Sequence, residues 1–126
     1  MRTRDLKRSV LEACEVILVS LAVNRARVER GPLYLVGELR ARGATRLTRD
    51  DSERQRLRRL IAFVDRCFPS GENCYRRALV EIAMDGRAAS EALHLGLRAH
   101  GGKDSGHAWL GVAKDRKTSY DAEFVI

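Results

Sequence analysis

Residues 72–98 read ENCYRRALVEIAMDGRAASEALHLGLR, and the periodicity of the chain changes inside them. Up to Met84, Ala78, Leu79, Ile82 and Ala83 recur at helical spacing, which predicts a helix beginning at Glu72 or Asn73. Asp85-Gly86 is expected to close it with a residue that tolerates a left-handed conformation. From Leu93 to Leu97 every second residue is Leu. That is the alternation of a strand with one face on a core. A helix that runs into β-structure, with only helices before it, predicts an α+β fold.

The upstream half reads as three helices. The first covers 3–28, with Thr3 or Asp5 at its N-terminus and Leu6, Val10, Ile17, Leu18 and Leu21 as its apolar stripe. Gly31-Pro32 breaks it, and Pro32 opens a second helix to Ala41 with Leu35, Val36 and Leu39 inward and Gly43 ending it. The third starts near Thr48 or Asp50. Asp50, Asp51 and Glu53 put negative charge on its first turn, where the helix dipole favours it. Leu57, Leu60, Ile61, Val64 and Phe68 form its stripe, and Pro69-Ser70-Gly71 stops it. Arg54, Arg56, Arg58, Arg59 and Arg66 spread over its other faces, either as a solvated surface or as a dock for an acidic partner. Downstream, Gly101 to Gly106 reads as a turn or loop. His107 to Ala113 reads as a strand, Lys114 to Lys117 as a tight turn and Thr118 to Phe124 as a third strand. These strands are expected to form an antiparallel meander.

The chain has 126 residues, and two domains of that total would each be too small for a proper core. One domain is therefore expected over 1–126, with a helical part at 1–47 and a core at 48–126. A hydrophobic fraction of 44% excludes a disordered chain. The longest apolar run, Val16 to Val23, is far short of the ~20 residues that span a bilayer. It also lacks a signal-peptide cleavage site, so a soluble cytoplasmic protein with no membrane span is expected. The net charge is +7, and all cations except Lys7, Lys103, Lys114 and Lys117 are arginines. Arginine suits phosphate and carboxylate recognition alike. Three cysteines at irregular spacing predict neither a disulfide framework nor a metal site.

Cys74 falls at the first turn of a predicted helix, where free backbone N–H groups favour a thiolate, and Arg76 and Arg77 push the same way. Cys14 and Cys67 lie within helices or at their far ends and read as small buried apolar residues. His107 begins a strand behind a glycine-rich loop, which holds a base firmly yet leaves it accessible. A hairpin turning at Asp115-Arg116 would bring Asp121 back toward His107. Nucleophile, base and orienting carboxylate together point to cysteine-based acyl chemistry. Trp109, on the same strand face as His107, is a candidate wall of the site or plain core packing. The Cys74 backbone N–H and Asn73 are candidate oxyanion donors.

The order helix-Cys, strand-His, strand-Asp resembles that of transglutaminase-like and papain-like cysteine enzymes. CYRRAL (Cys74 to Leu79), GHAWL (Gly106 to Leu110) and YDAEF (Tyr120 to Phe124) resemble the B2 leader peptidases of lasso peptide biosynthesis. The match covers roughly 57–126. Tyr75 stands where that family has an aliphatic residue, Met84-Asp85-Gly86 replaces a basic run, and the His107 to Asp121 spacing is slightly long. The resemblance implies a transglutaminase/papain-like core and a Cys74, His107 and Asp121 triad without cofactor. It implies cleavage of a leader from a ribosomally made precursor peptide. The implied partners are that precursor, a leader-binding recognition protein and an ATP-dependent cyclase that closes the macrolactam. Two alternatives stay open. One is another transglutaminase-like peptidase or acyl-transfer enzyme of a different peptide pathway. The other is a small basic nucleic-acid-binding protein, which the absence of aromatics between Tyr34 and Phe63 argues against.

Overall fold

The computed structural model describes residues 3–97, 106–111 and 122–126. Four helices lead into a small sheet: α1 (Thr3–Glu29), α2 (Pro32–Gly43), α3 (Asp51–Arg66) and α4 (Cys74–Met84), then β1 (Leu93–Leu97), β2 (Gly106–Leu110) and β3 (Ala122–Val125). A single 3₁₀ turn, Ala88–Ser90, joins α4 to β1. The fold is α+β. Side chains from all four helices and from β1 and β2 meet in one buried cluster.

α4 is the axis of the molecule. Its residues Ala78 to Met84 are all buried, because α1, α2, α3 and β2 pack around it. Asn73 caps it by accepting the Arg76 N–H at 2.9 Å. Asp50 caps α3 in the same way through the Glu53 N–H at 2.8 Å. The helix ends differ from the glycine-terminated expectation. Asp85 leaves α4 in an extended conformation, and Gly86 is not left-handed. Gly86 is small for another reason: a side chain there would strike the Arg46 carbonyl oxygen.

α1 turns a different face inward than its leucines suggested. Val16, Val19, Ser20 and Val23 are buried, whereas Leu6, Val10, Ile17, Leu18 and Leu21 are all about half exposed or more. Both sets have helical spacing, so periodicity alone could not rank them. The inward set is β-branched or small, which lets α1 lie close to α4.

The sheet is antiparallel in the order β2-β1-β3. This corrects the expected meander: β3 pairs with β1, not with β2. Leu93 to Leu97 offers both backbone edges, and each is taken. The sheet register places Gly96 between His107 on one side and Glu123 on the other. Ile126 extends the β1–β3 ladder through reciprocal backbone bonds with Leu93, both 2.8 Å. Arg40 ties this end down, donating to the carbonyls of Ala89 at 2.8 Å, Glu91 at 2.7 Å and Ile126 at 2.7 Å.

The arginines of α3 do not form one solvated face. Arg54 is buried among Glu81, Asp85 and Glu91, and Arg58 donates to Glu81 at 3.0 Å. Burial opposes the Arg54 charge, but Glu91 and then Glu81 more than offset it and push its pKa up.

Candidate active site

Cys74 is the first residue of α4, so its backbone N–H has no partner within the helix. Its sulfur accepts the Ala108 N–H at 3.3 Å. That bond seats the sulfur against β2, one residue from His107. Cys74 and His107 both line two adjoining cavities, of about 910 and 440 Å³, so a cleft runs past both. His107 is exposed and Cys74 half-buried. Cys14 and Cys67 are exposed, contrary to their reading as buried apolar residues. Cys14 lies on the outward face of α1, and Cys67 follows the last residue of α3.

On the sheet face that carries His107, Trp109 stacks between two histidines. Its ring centroid lies 5.5 Å from that of His107 and 5.3 Å from that of His94. The stacking limits how far the His107 ring can swing. Trp109 also borders the smaller cavity. Asp121 and Asp115 lie outside the described residues. Pairing of the last strand with β2 was the route by which Asp121 was expected to approach His107, but β3 (Ala122–Val125) pairs with β1. Glu123, a carboxylate given no role in the sequence reading, lies in the His107 row beyond Gly96. Its Oε1 is 3.6 Å from His94 Nδ1, which makes an ion pair when His94 is protonated.

A buried clamp holds the loop before Cys74. Arg76 is fully buried. Its Nε donates to Asp65 Oδ1 at 2.5 Å, its Nη2 to the Gly71 carbonyl at 2.8 Å and its Nη1 to Asn24 at 2.9 Å. The guanidinium also lies over the Phe68 ring at 3.9 Å. Asp65 Oδ2 accepts the Asn73 N–H at 2.7 Å. One carboxylate therefore fixes both the cap residue and the arginine two residues beyond the cysteine. This corrects the expected role of Arg76: its charge is spent on Asp65, and what it supplies is position. Arg77 is looser, 3.8 Å from Asp65, and lines both cavities. Asn73 lines the larger cavity, with its Oδ1 occupied by the cap.

Tyr75 forms part of the same wall. Its hydroxyl is buried with no hydrogen-bond partner among the described residues. Burial pushes the phenol pKa up, against the opposing influence of Arg27. No group of His, Cys, Asp and Glu among the described residues is arranged to hold a metal ion.

A family model described as the transglutaminase-like superfamily matches residues 17–122. The chain belongs to the transglutaminase-like superfamily. Members are generally cysteine-based enzymes of peptidase or acyl-transfer type, the chemistry that a helix-start cysteine beside a strand histidine serves. The match begins inside α1 and ends at the first residue of β3, so the transglutaminase-like region takes in most of the helical half as well as β1 and β2. No curated protein and no solved structure matches the chain significantly. Among the described residues of this transglutaminase-like chain, no helix is long and apolar enough to cross a membrane.

Proposed function

We propose that this chain is a cytoplasmic cysteine peptidase that removes the leader from a ribosomally made precursor peptide of the lasso class. The observation that carries the reading is the seating of the Cys74 sulfur on β2, beside His107, at the mouth of a peptide-sized cleft. The likeness of CYRRAL and GHAWL to the lasso leader peptidases supports the choice of substrate.

In this mechanism His107 takes the Cys74 proton, and the thiolate attacks the carbonyl at the leader–core junction. The oxyanion meets the free Cys74 N–H at the start of α4, with the Asn73 side-chain amide as second donor. His107 then protonates the departing core amine, and water releases the leader from the thioester. Asp121 holds the imidazole tautomer. A leader-binding protein presents the precursor, and an ATP-dependent cyclase consumes the freed core.

Mass spectrometry of the precursor incubated with protein and leader-binding partner tests this. Cys74→Ala should abolish cleavage while keeping the circular dichroism of the wild type. Asp121→Asn should slow single-turnover cleavage by orders of magnitude, and Asp115→Asn by no more than a few-fold. Wild-type processing by Cys74→Ala would sink the peptidase reading. A product carrying an added amine instead of water would favour acyl transfer, since the fold does not dictate the acceptor.

A further inference from the structure

The two cavities that meet at Cys74 and His107 differ in chemistry. The larger opens where the sheet projects past the start of α4 and α2 begins alongside. Leu33, Leu97, Phe124 and Val125 line it while remaining 49–75% exposed. Four large apolar side chains left open around one hollow mark a surface built to be covered. Glu72 is its one acidic side chain among the described residues, and Arg77 lines it as well.

The smaller cavity lies between α3, α4 and β2. Arg58, Arg59 and Arg77 face it, against Glu81 as the single carboxylate among the described residues. Glu81 is already taken, by Arg54 at 3.1 Å and Arg58 at 3.0 Å. Among the described residues Arg59 donates to the Gln55 carbonyl, at 3.4 Å, and makes no ion pair. Arg77 stands 3.8 Å from an Asp65 that Arg76 already engages. The arm therefore keeps positive charge that the described residues do not neutralise. β2, which among the described residues pairs only with β1, forms one wall and offers its edge to an extended chain.

Resting on the reading of Cys74 as the nucleophile, we propose that this cleft selects peptide-type acyl substrates by two features. Apolar residues flank the reacting carbonyl on one side and enter the larger arm. An acidic residue flanks it on the other and enters the Arg58, Arg59 and Arg77 arm. An acid in the larger arm would instead meet Glu72, with the shared Arg77 but without Arg58 and Arg59.

Peptidyl α-ketoamides test this, because they carry residues on both sides of an electrophilic carbonyl. The Cys74 sulfur bonds to the keto carbon, the C=O π bond breaks, and the thiol proton passes through His107 to the oxygen, giving a hemithioketal. Four probes are needed: two leucines before the ketoamide with Glu or Gln after it, and the reverse order with Glu or Gln before two leucines. The readout is protection of Cys74 from iodoacetamide in full-length Cys14→Ser/Cys67→Ser protein, which removes the exposed thiols. In one orientation the Glu probe should protect about tenfold better than its Gln twin, as expected for solvent-accessible cations of which Arg58 is already paired with Glu81. That ratio should shrink in high salt and fall below about threefold in Arg59→Glu. Because it compares two probes on one protein, a folding defect alone would not move it. Equal protection by Glu and Gln twins in both orientations would overturn the proposed specificity and leave the peptidase reading standing. Failure of all four probes to protect Cys74 would overturn both.

Discussion

Asp65→Asn is the sharpest test of how the nucleophile is held. In the wild type the Asp65 carboxylate serves two donors at once, Arg76 Nε at 2.5 Å and the Asn73 N–H at 2.7 Å. An amide has one acceptor oxygen, so its NH₂ must face one of those donors. The substitution also leaves the Arg76 guanidinium, 0% exposed, without its counter-charge. Removing one partner of such a buried pair costs about 3–5 kcal/mol. A domain of this kind has roughly 5–15 kcal/mol in total. Urea unfolding followed by circular dichroism measures the loss. At an m-value of about 1.5 kcal/mol/M the midpoint should fall by roughly 2–3 M. Asp65→Leu with Arg76→Met should lose less than either single change, because no charge is then stranded. A midpoint shift under about 0.5 M for Asp65→Asn would refute the reasoning, since it would mean that water already solvates Arg76.

Two glycines of α2 should respond to alanine with opposite signs. At Gly43 a methyl group would run into the Ile82 carbonyl oxygen and lie 2.9 Å from the Ala89 Cβ, so Gly43→Ala should cost about 1–3 kcal/mol in chemical denaturation. Gly37 has nothing within 4 Å, and Gly37→Ala should stabilise by about 0.5–1 kcal/mol. A third test concerns the cap of α3. The Glu53 N–H and then the Ser52 hydroxyl hold the Asp50 carboxyl below its ordinary 3.8. A folded pKa below the unfolded one gives stability above the unfolded value that is lost as pH falls through the folded one. Asp50→Ala should therefore lower Tm near neutral pH, and its gap from wild type should narrow as pH drops below 3.8. An unchanged gap at about pH 2.5 would contradict the cap's charge.

The helix starts were legible because they carry local chemistry. Asp50 before α3 and Asn73 before α4 both cap with their own side chains, and Pro32 opens α2. β1 was legible from the alternation of Leu93, Leu95 and Leu97, and the placement of Cys74 followed from the helix start expected at Glu72 or Asn73. What was not legible was non-local. The Leu93–Leu97 pattern shows which face is buried but says nothing of which strand takes each edge. α1 carries two helical stripes, and the aliphatic bulk of Leu6, Val10 and Leu21 pointed to the one that faces out. The buried ionic residues did leave a trace. Arg54, Leu57, Ile61 and Asp65 are spaced three, four and four residues apart, so two charged residues sit on the line of the buried stripe. A charge at a core position predicts an opposite charge across the interface. Its identity, Arg76 for Asp65 and Glu81 and Glu91 for Arg54, needed the packing of α4 and β1.

The strand order has a consequence for synthesis. β1, the central strand, leaves the ribosome before either of its neighbours. The four helices precede it and can collapse first, since their contacts are largely with one another. β1 then waits, its Leu-rich segment open along both backbone edges, a template on which other chains could pair. β2 closes one side some ten residues later. The other side stays open until residues 122–126 are made and Ile126 joins Leu93. The danger of misassembly is therefore concentrated in the translation of roughly the last quarter of these residues, where slow elongation would prolong it and a chaperone that shields β1 would relieve it.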